Sequence, residues 1–359
     1  MTKMLFTPLR LGQFETKNRI LMAPMTRGRA TSDGTPTELM IEYYRQRAAA
    51  GLIITEGTFV SPQAVGWNNA PGIYTDAHVE AWKPVTAAVH AEGGRIFLQL
   101  WHMGRVSHPD FQDGALPVGP SAIAAEGKTH TPKGSKEYVV PRALEASELA
   151  GIVDDFRQGA RRAIEAGFDG VEIHGANGYL IDQFIRDGSN KRDDEYGGSI
   201  ENRWRLPLEI AQAVSQEVGA DRTAIRLSPV GAYNTMSDSD PVASFSHGAK
   251  ALDSMGLAYV HVLEARGGMM LNKEAPLVHP HIRTLLSDTP MLLNGGYDQE
   301  SAEAALADGL CDAVTFGVSF LANPDLVERF RTDAGFNTPD FATFYSPGEA
   351  GYTDYKALS

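Results

Sequence analysis

Eight short apolar or β-branched runs recur along this chain, and segments of helical period lie between them. The runs are Arg19–Met25, Leu52–Thr58, Ile96–Trp101, Gly170–His174, Thr223–Ser228, Tyr259–Glu264, Met291–Asn294 and Ala313–Phe316. Pro36–Ala50, Asp76–Glu92, Leu149–Ala166, Ile200–Val218, Ser246–Met255, Ile282–Leu286 and Ser301–Ala307 read as helices. In Leu149–Ala166 the apolar positions Leu149, Ile152, Val153, Phe156, Ala160, Ala163 and Ile164 share a face, and Gly167 stands where a C-cap belongs. Strands alternating with helices mark βα units. Eight of them point to a closed (β/α)8 TIM barrel, with a doubly wound open sheet as the lesser option. The 359 residues suit one such barrel, so residues 1–359 are expected to form a single domain.

Three parts fall outside the alternation. Met4–Lys17, where Leu9 and Leu11 alternate with polar neighbours, reads as an N-terminal hairpin closing the barrel bottom. Arg105–Arg142 follows strand three, is rich in Gly, Pro, His and Lys, and is too long for an ordinary βα loop. It reads as a lid or binding excursion. The tail Asn337–Ser359 carries Phe341, Phe344, Tyr345, Tyr352 and Tyr355 and is expected to pack back on the barrel.

Composition excludes several classes. The formal net charge of −13 argues against nucleic acid or an anionic membrane as partner. The single cysteine, Cys311, rules out an intramolecular disulfide, a multi-thiolate zinc site and a four-cysteine cluster. Met1–Arg10 has no signal-like apolar run, and no run of about 18 apolar residues occurs. A cytoplasmic protein acting on small molecules is expected, as a monomer or weak homo-oligomer.

Barrel active sites lie at the C-terminal ends of the strands. The richest such end is Gly167–Tyr179, where His174 is followed by Asn177 and Tyr179: two hydrogen-bonding groups and a phenol at one strand mouth, suited to a carbonyl-like oxygen and a proton donor. Strand one ends in Ala23-Pro24-Met25-Thr26, and strand three supplies Gln99, Trp101 and His102. By the period of two, Gln99, Glu172, His174 and Arg226 face the barrel interior, while Leu98, Ile173, Ile225 and Leu227 face the helices. An inward arginine needs a partner: Glu172, or an anionic ligand. Asn294-Gly295-Gly296 and Phe316-Gly317-Val318 sit in the seventh and eighth units, where barrels bind phosphate through backbone N–H groups. Asn323-Pro324 reads as a helix start. No second ligand at useful spacing joins His174 and Asn177, so no metal is expected. Neither a Gly-x-Gly-x-x-Gly nor a Gly-x-Ser-x-Gly motif is present in a telling position. Lys191–Glu195 reads as a solvated charge cluster or loop brace.

Taken together, Leu5–Leu9, Asn18–Arg27, Tyr43–Arg47, Gln99–Arg105, Gly167–Tyr179, Asn190–Arg203, Ala322–Leu326 and Gly351–Tyr355 resemble the old yellow enzyme family of FMN-dependent ene-reductases. The likeness is to its N-ethylmaleimide, nitrate-ester and morphinone reductase branch, and it spans essentially the whole chain. The resemblance implies a non-covalent FMN across the barrel mouth and NADPH or NADH as hydride donor. It places Ala23, Pro24, Met25, Gly57 and Thr26 along the ring, Gln99 on its pyrimidine edge and Arg226 beside N1. Asn294, Gly295, Gly296, Gly317 and Val318 fall at the phosphate end. His174 and Asn177 would bind the substrate oxygen, Tyr179 would protonate the α-carbon, and Trp67, Trp101 and Tyr352 would shape the pocket. The implied activity is reduction of electron-poor alkenes such as enones, maleimides and nitroalkenes. A reductase of nitrate esters or nitroaromatics with little alkene activity is the alternative. A flavin- or steroid-binding sensor and a metal-dependent aldolase are more distant ones. Two positions depart from the family pattern or vary within it: Val318 stands where an arginine is usual, and the oxygen-binding pair is His/Asn.

Overall fold

A computed structural model describes residues 3–264 and 276–358. Met1, Thr2 and Ser359, the outer ends of the N-terminal and tail readings, lie outside them. Eight parallel strands close into a barrel in chain order: Ile20–Met22, Ile53–Phe59, Ile96–Trp101, Gly170–Gly175, Thr223–Leu227, Tyr259–Leu263, Met291–Asn294 and Ala313–Phe316. The last pairs with the first through Val314 and Ile20. All eight agree with the sequence reading; the first is shorter because Pro24 has no N–H for the ladder.

Alternation along the strands divides the core in two. Leu98, Val171, Ile173, Ile225, Leu227, Val260 and Val262 point outward into the large core shared with the helices. Leu21, Leu52, Ile54, Phe97, Ala224, Tyr259, Leu292 and Ala313 fill the interior. The N-terminal hairpin, Leu9–Leu11 paired with Phe14–Thr16, inserts Leu11 and Phe14 into that interior cluster and closes the lower end.

The helices follow from caps and apolar faces. Ala146–Glu165 begins with a reciprocal Glu145/Glu148 capping box and buries Leu149, Ile152, Phe156, Ala160 and Ala163. Pro241–Asp253 starts five residues before the expected Ser246, because Asp240 accepts the Ala243 N–H and Pro241 occupies the first helical turn. Leu180–Ile185, Val318–Ala322 and Leu326–Thr332 are too short to show a period. Asn323 does not open a helix. It ends Val318–Ala322 and bonds Ser319 and Asn337, and Asp325 precedes the next helix instead.

The excursion after strand three carries a hairpin, Lys128–Thr131 with Gly134–Glu137, and a short parallel pairing of Val118–Gly119 with Arg142–Ala143. Within the tail, Tyr352 is buried and stacks on Tyr43 at 4.1 Å. No helix among the described residues is long and apolar enough to cross a membrane.

Candidate active site

The inward side chains near the mouth form a hydrogen-bonded layer. Gln99 Nε2 donates to Glu172 Oε1 at 2.8 Å. His261 Nδ1 lies 2.9 Å from Glu172 Oε2, and its Nε2 lies 2.9 Å from Thr315 Oγ1. Glu172 is therefore not the hydrogen-bond partner of Arg226. Arg226 Nη2 donates instead to Asn294 Oδ1 at 2.8 Å, and Asn294 Nδ2 donates to the Thr315 carbonyl. Burial lowers the Arg226 pKa, with the Glu172 charge opposing. Its Nε finds no partner among the described residues. His261 escaped the sequence reading, although the period of two in Tyr259–Leu263 turns it inward with Tyr259.

Strand two is irregular: its register on strand three shifts between Ile54 and Gly57. A Cβ at Gly57 would stand 2.5 Å from Trp101 Cε3, so the missing side chain admits the indole. Trp101 stacks on Phe59 at 5.0 Å and meets the edge of Tyr179 at 4.9 Å. Tyr179 in turn packs edge-on to His174 at 4.9 Å. Trp101 also lies parallel to the His174 ring at 6.1 Å, so one indole braces His174 at the end of strand four and Tyr179 just beyond it.

His174 Nδ1 accepts the Ala176 N–H at 3.4 Å, so the neutral ring carries its proton on Nε2. Burial, then the Arg226 and His261 charges, hold the imidazole pKa well below its usual value. His174 is a neutral donor. Beyond the strand, Asn177 adopts φ +59° and Gly178 φ +74°. Asparagine tolerates that left-handed conformation better than most side chains. The Asn177 N–H donates to Ser228 Oγ at 2.7 Å, and Asn234 Nδ2 donates to the Asn177 carbonyl at 2.8 Å. Tyr179 follows at the start of Leu180–Ile185. Burial, with the neighbouring Tyr233, Tyr138 and Tyr345, raises its pKa well above the usual phenol value. The phenol stays protonated.

These groups converge on a cavity of about 410 Å³. Fourteen expected residues line it: Ala23, Pro24, Met25, Thr26, Trp67, Gln99, Trp101, His174, Asn177, Tyr179, Arg226, Asn294, Gly317 and Val318. Gly57, Gly295, Gly296 and Tyr352 are not in the lining. Tyr352 serves as an anchor: Arg27 Nη2 donates to the neighbouring Gly351 carbonyl, and Arg27 Nε to the Phe344 carbonyl. That anchoring brings Phe344 and Tyr345 to the cavity, where Tyr345 meets Trp67 at 5.2 Å. Arg27, Tyr233, Leu263 and Leu321 also line it. Sequence spacing gives no signal for Tyr233 and Tyr345, which arrive from remote loops. Among the described residues, the lining holds two arginines and no carboxylate.

The profile of the NADH:flavin oxidoreductase / NADH oxidase family matches residues 4–336. The chain is 46% identical to 12-oxophytodienoate reductase 1 of Oryza sativa subsp. japonica over 360 residues, covering 99% of this chain and 93% of that one. Its fold superimposes on an old yellow enzyme homologue from Zymomonas mobilis with a TM-score of 0.96, at 49% identity and 99% coverage of both chains. It matches morphinone reductase in complex with tetrahydroNAD with a TM-score of 0.94, at 48% identity, covering 99% of this chain and 98% of that one. The chain belongs to the old yellow enzyme family of FMN flavoprotein oxidoreductases.

Proposed function

We propose that this protein reduces electron-poor alkenes (enones, maleimides, nitroalkenes) with NADPH or NADH as donor. The observation that carries the proposal is one wall of one cavity: a neutral imidazole donor, a carboxamide and a protonated phenol side by side.

The residues present fit FMN. The cavity volume is in the range of small-molecule sites. Among the described residues its charged groups are cationic, and the Nε of buried Arg226, without a partner among them, calls for an acceptor such as a ring nitrogen bearing negative charge. In this reading Thr26, Gln99, Arg226, Ala23, Pro24 and Met25, which line the cavity, would hold the ring, and Gly57 would act indirectly by admitting Trp101. Asn294, Gly295, Gly296, Gly317 and Val318 stand at the phosphate end. When bound, FMN would supply the hydride chemistry between NAD(P)H and the substrate.

The chain's own residues do the rest. His174 Nε2–H and the Asn177 carboxamide donate to the substrate's carbonyl or nitro oxygen. That withdraws charge from the double bond and makes its β-carbon electrophilic. A neutral imidazole suits this role, since it donates without bringing a second full charge beside Arg226. Tyr179 then delivers its proton to the α-carbon; a phenol of raised pKa loses it only to a strongly basic enolate carbon. Trp67, Tyr233, Tyr345 and Phe344 exclude water around the substrate. Tyr352 shapes the pocket from beneath through the tail it anchors.

The alternative with nitrate esters or nitroaromatics as oxidants uses the same oxygen-binding pair without Tyr179, so the buried phenol favours alkenes. Comparing turnover of cyclohexenone with that of a nitrate ester tests the choice. Faster nitrate-ester turnover that is indifferent to Tyr179→Phe would defeat the alkene reading. A cytoplasmic monomer or weak homo-oligomer acting on small molecules fits these proposals.

A further inference from the structure

Behind the turn that carries Asn177 and Tyr179 lies a relay that plays no direct part in the chemistry. Asp182, fully buried in the helix Leu180–Ile185, accepts the Gly178 N–H on Oδ2 at 2.8 Å. The Ser228 hydroxyl, just past strand five, donates to the same oxygen at 3.4 Å, and Ser228 Oγ accepts the Asn177 N–H at 2.7 Å. Two successive N–H groups of a left-handed turn therefore end on one hydroxyl–carboxylate pair. An isolated buried carboxylate is costly, and the nearest cation, Arg186, is 4.0 Å away rather than in close contact. Asp238 and Arg105 also act on Asp182 through their charges. Such an anion has a role if it fixes a backbone that other forces would leave free.

We propose that Asp182 and Ser228 are positioning residues that lock the Asn177-Gly178 backbone, and so set both the substrate-oxygen donor Asn177 and the proton donor Tyr179. This rests on the alkene-reductase reading of the same site and adds two residues to it. Neither side chain lines the cavity; each acts through the turn.

The test uses holoenzyme with its flavin reduced by light, mixed anaerobically with cyclohexenone or with ferricyanide. Ferricyanide accepts electrons without Asn177 or Tyr179 and reports a merely structural defect. Ser228→Ala and Asp182→Ala are expected to slow reoxidation by cyclohexenone about tenfold or more, while reoxidation by ferricyanide stays within about twofold. Asp182→Asn, whose carboxamide oxygen still accepts the Gly178 N–H, is expected to recover part of the enone rate. Should Asp182→Ala fail to fold, Ser228→Ala decides alone. Wild-type enone rates in the variants, or equal slowing with both oxidants, would overturn the proposal. Failure of the wild-type protein to react with cyclohexenone, with ferricyanide still effective, would instead overturn the alkene-reductase reading on which it stands.

Discussion

His174 and Arg226 stand opposite each other in the parallel ladder between strands four and five, so a buried guanidinium faces the imidazole proposed to hold the substrate oxygen. Desolvation first, and this cation second, favour the uncharged ring. With Nδ1 accepting from Ala176, the remaining proton is on Nε2. Nitrogen-15 NMR of histidine-labelled protein is expected to show His174 as the neutral Nε2–H tautomer from pH 8 down to pH 5. An imidazolium signal at pH 6 would contradict the account.

His102 gives a pH dependence of stability with a definite sign. It is buried beside the active site, and desolvation alone pushes its pKa down to about 3. The unfolded chain takes up a proton on this ring below about pH 6.5, and the folded protein does not until about pH 3. Its contribution to stability is therefore intact above 6.5 and falls as pH drops through that window. At pH 5 the loss is about 2 kcal/mol. In urea unfolding, His102→Gln is expected to flatten the decline between pH 7 and pH 5 by about that amount. An unchanged slope would show that this ring does not titrate between the two states.

Tyr179→Phe removes the proposed proton donor and leaves the aromatic packing on Trp101 and His174 in place. Alkene turnover is expected to fall about 100-fold, with flavin reduction by NADPH within about threefold of wild type. Water can still protonate the α-carbon, so some activity persists. Stopped-flow measurement of the two half-reactions separates these effects. Loss of flavin reduction alone would assign the phenol a different role.

Val318 lines the cavity beside Gly317 and is 43% exposed, an aliphatic side chain at the proposed phosphate end. In the proposed phosphate site, backbone N–H groups would act without a side-chain cation at this position. Val318→Arg is expected to lower the FMN dissociation constant about tenfold, as one charge-assisted contact would. Fluorescence titration of the apoprotein reads it directly, and an unchanged constant would refute the idea.

Much of the molecule is legible in the sequence because its signals are local. Each barrel strand is a short apolar run, and the outward residues of strands three to five separate from the inward ones by simple alternation. His174, Asn177 and Tyr179 lie within six residues, so one strand end announces them. What stayed hidden depends on long-range placement. Glu172 bonds Gln99 and His261 rather than Arg226, a choice made by three-dimensional geometry across four strands. Gly57 reads as a ring-lining residue, yet its absent side chain makes room for Trp101. Tyr352 and Tyr345 share one aromatic tail, and only its path over Arg27 decides which is buried and which reaches the cavity. The helix Leu180–Ile185 is buried all round, so no polar face marks it.

The most direct test of the central claim is an anaerobic visible absorption spectrum of gently purified protein, recorded before and after NADPH and then after cyclohexenone. The account predicts oxidised-flavin bands at about 370 and 460 nm that bleach with NADPH and return with cyclohexenone. A protein that stays colourless after FMN is added and the excess removed, or a bleached flavin that cyclohexenone leaves reduced, would contradict it.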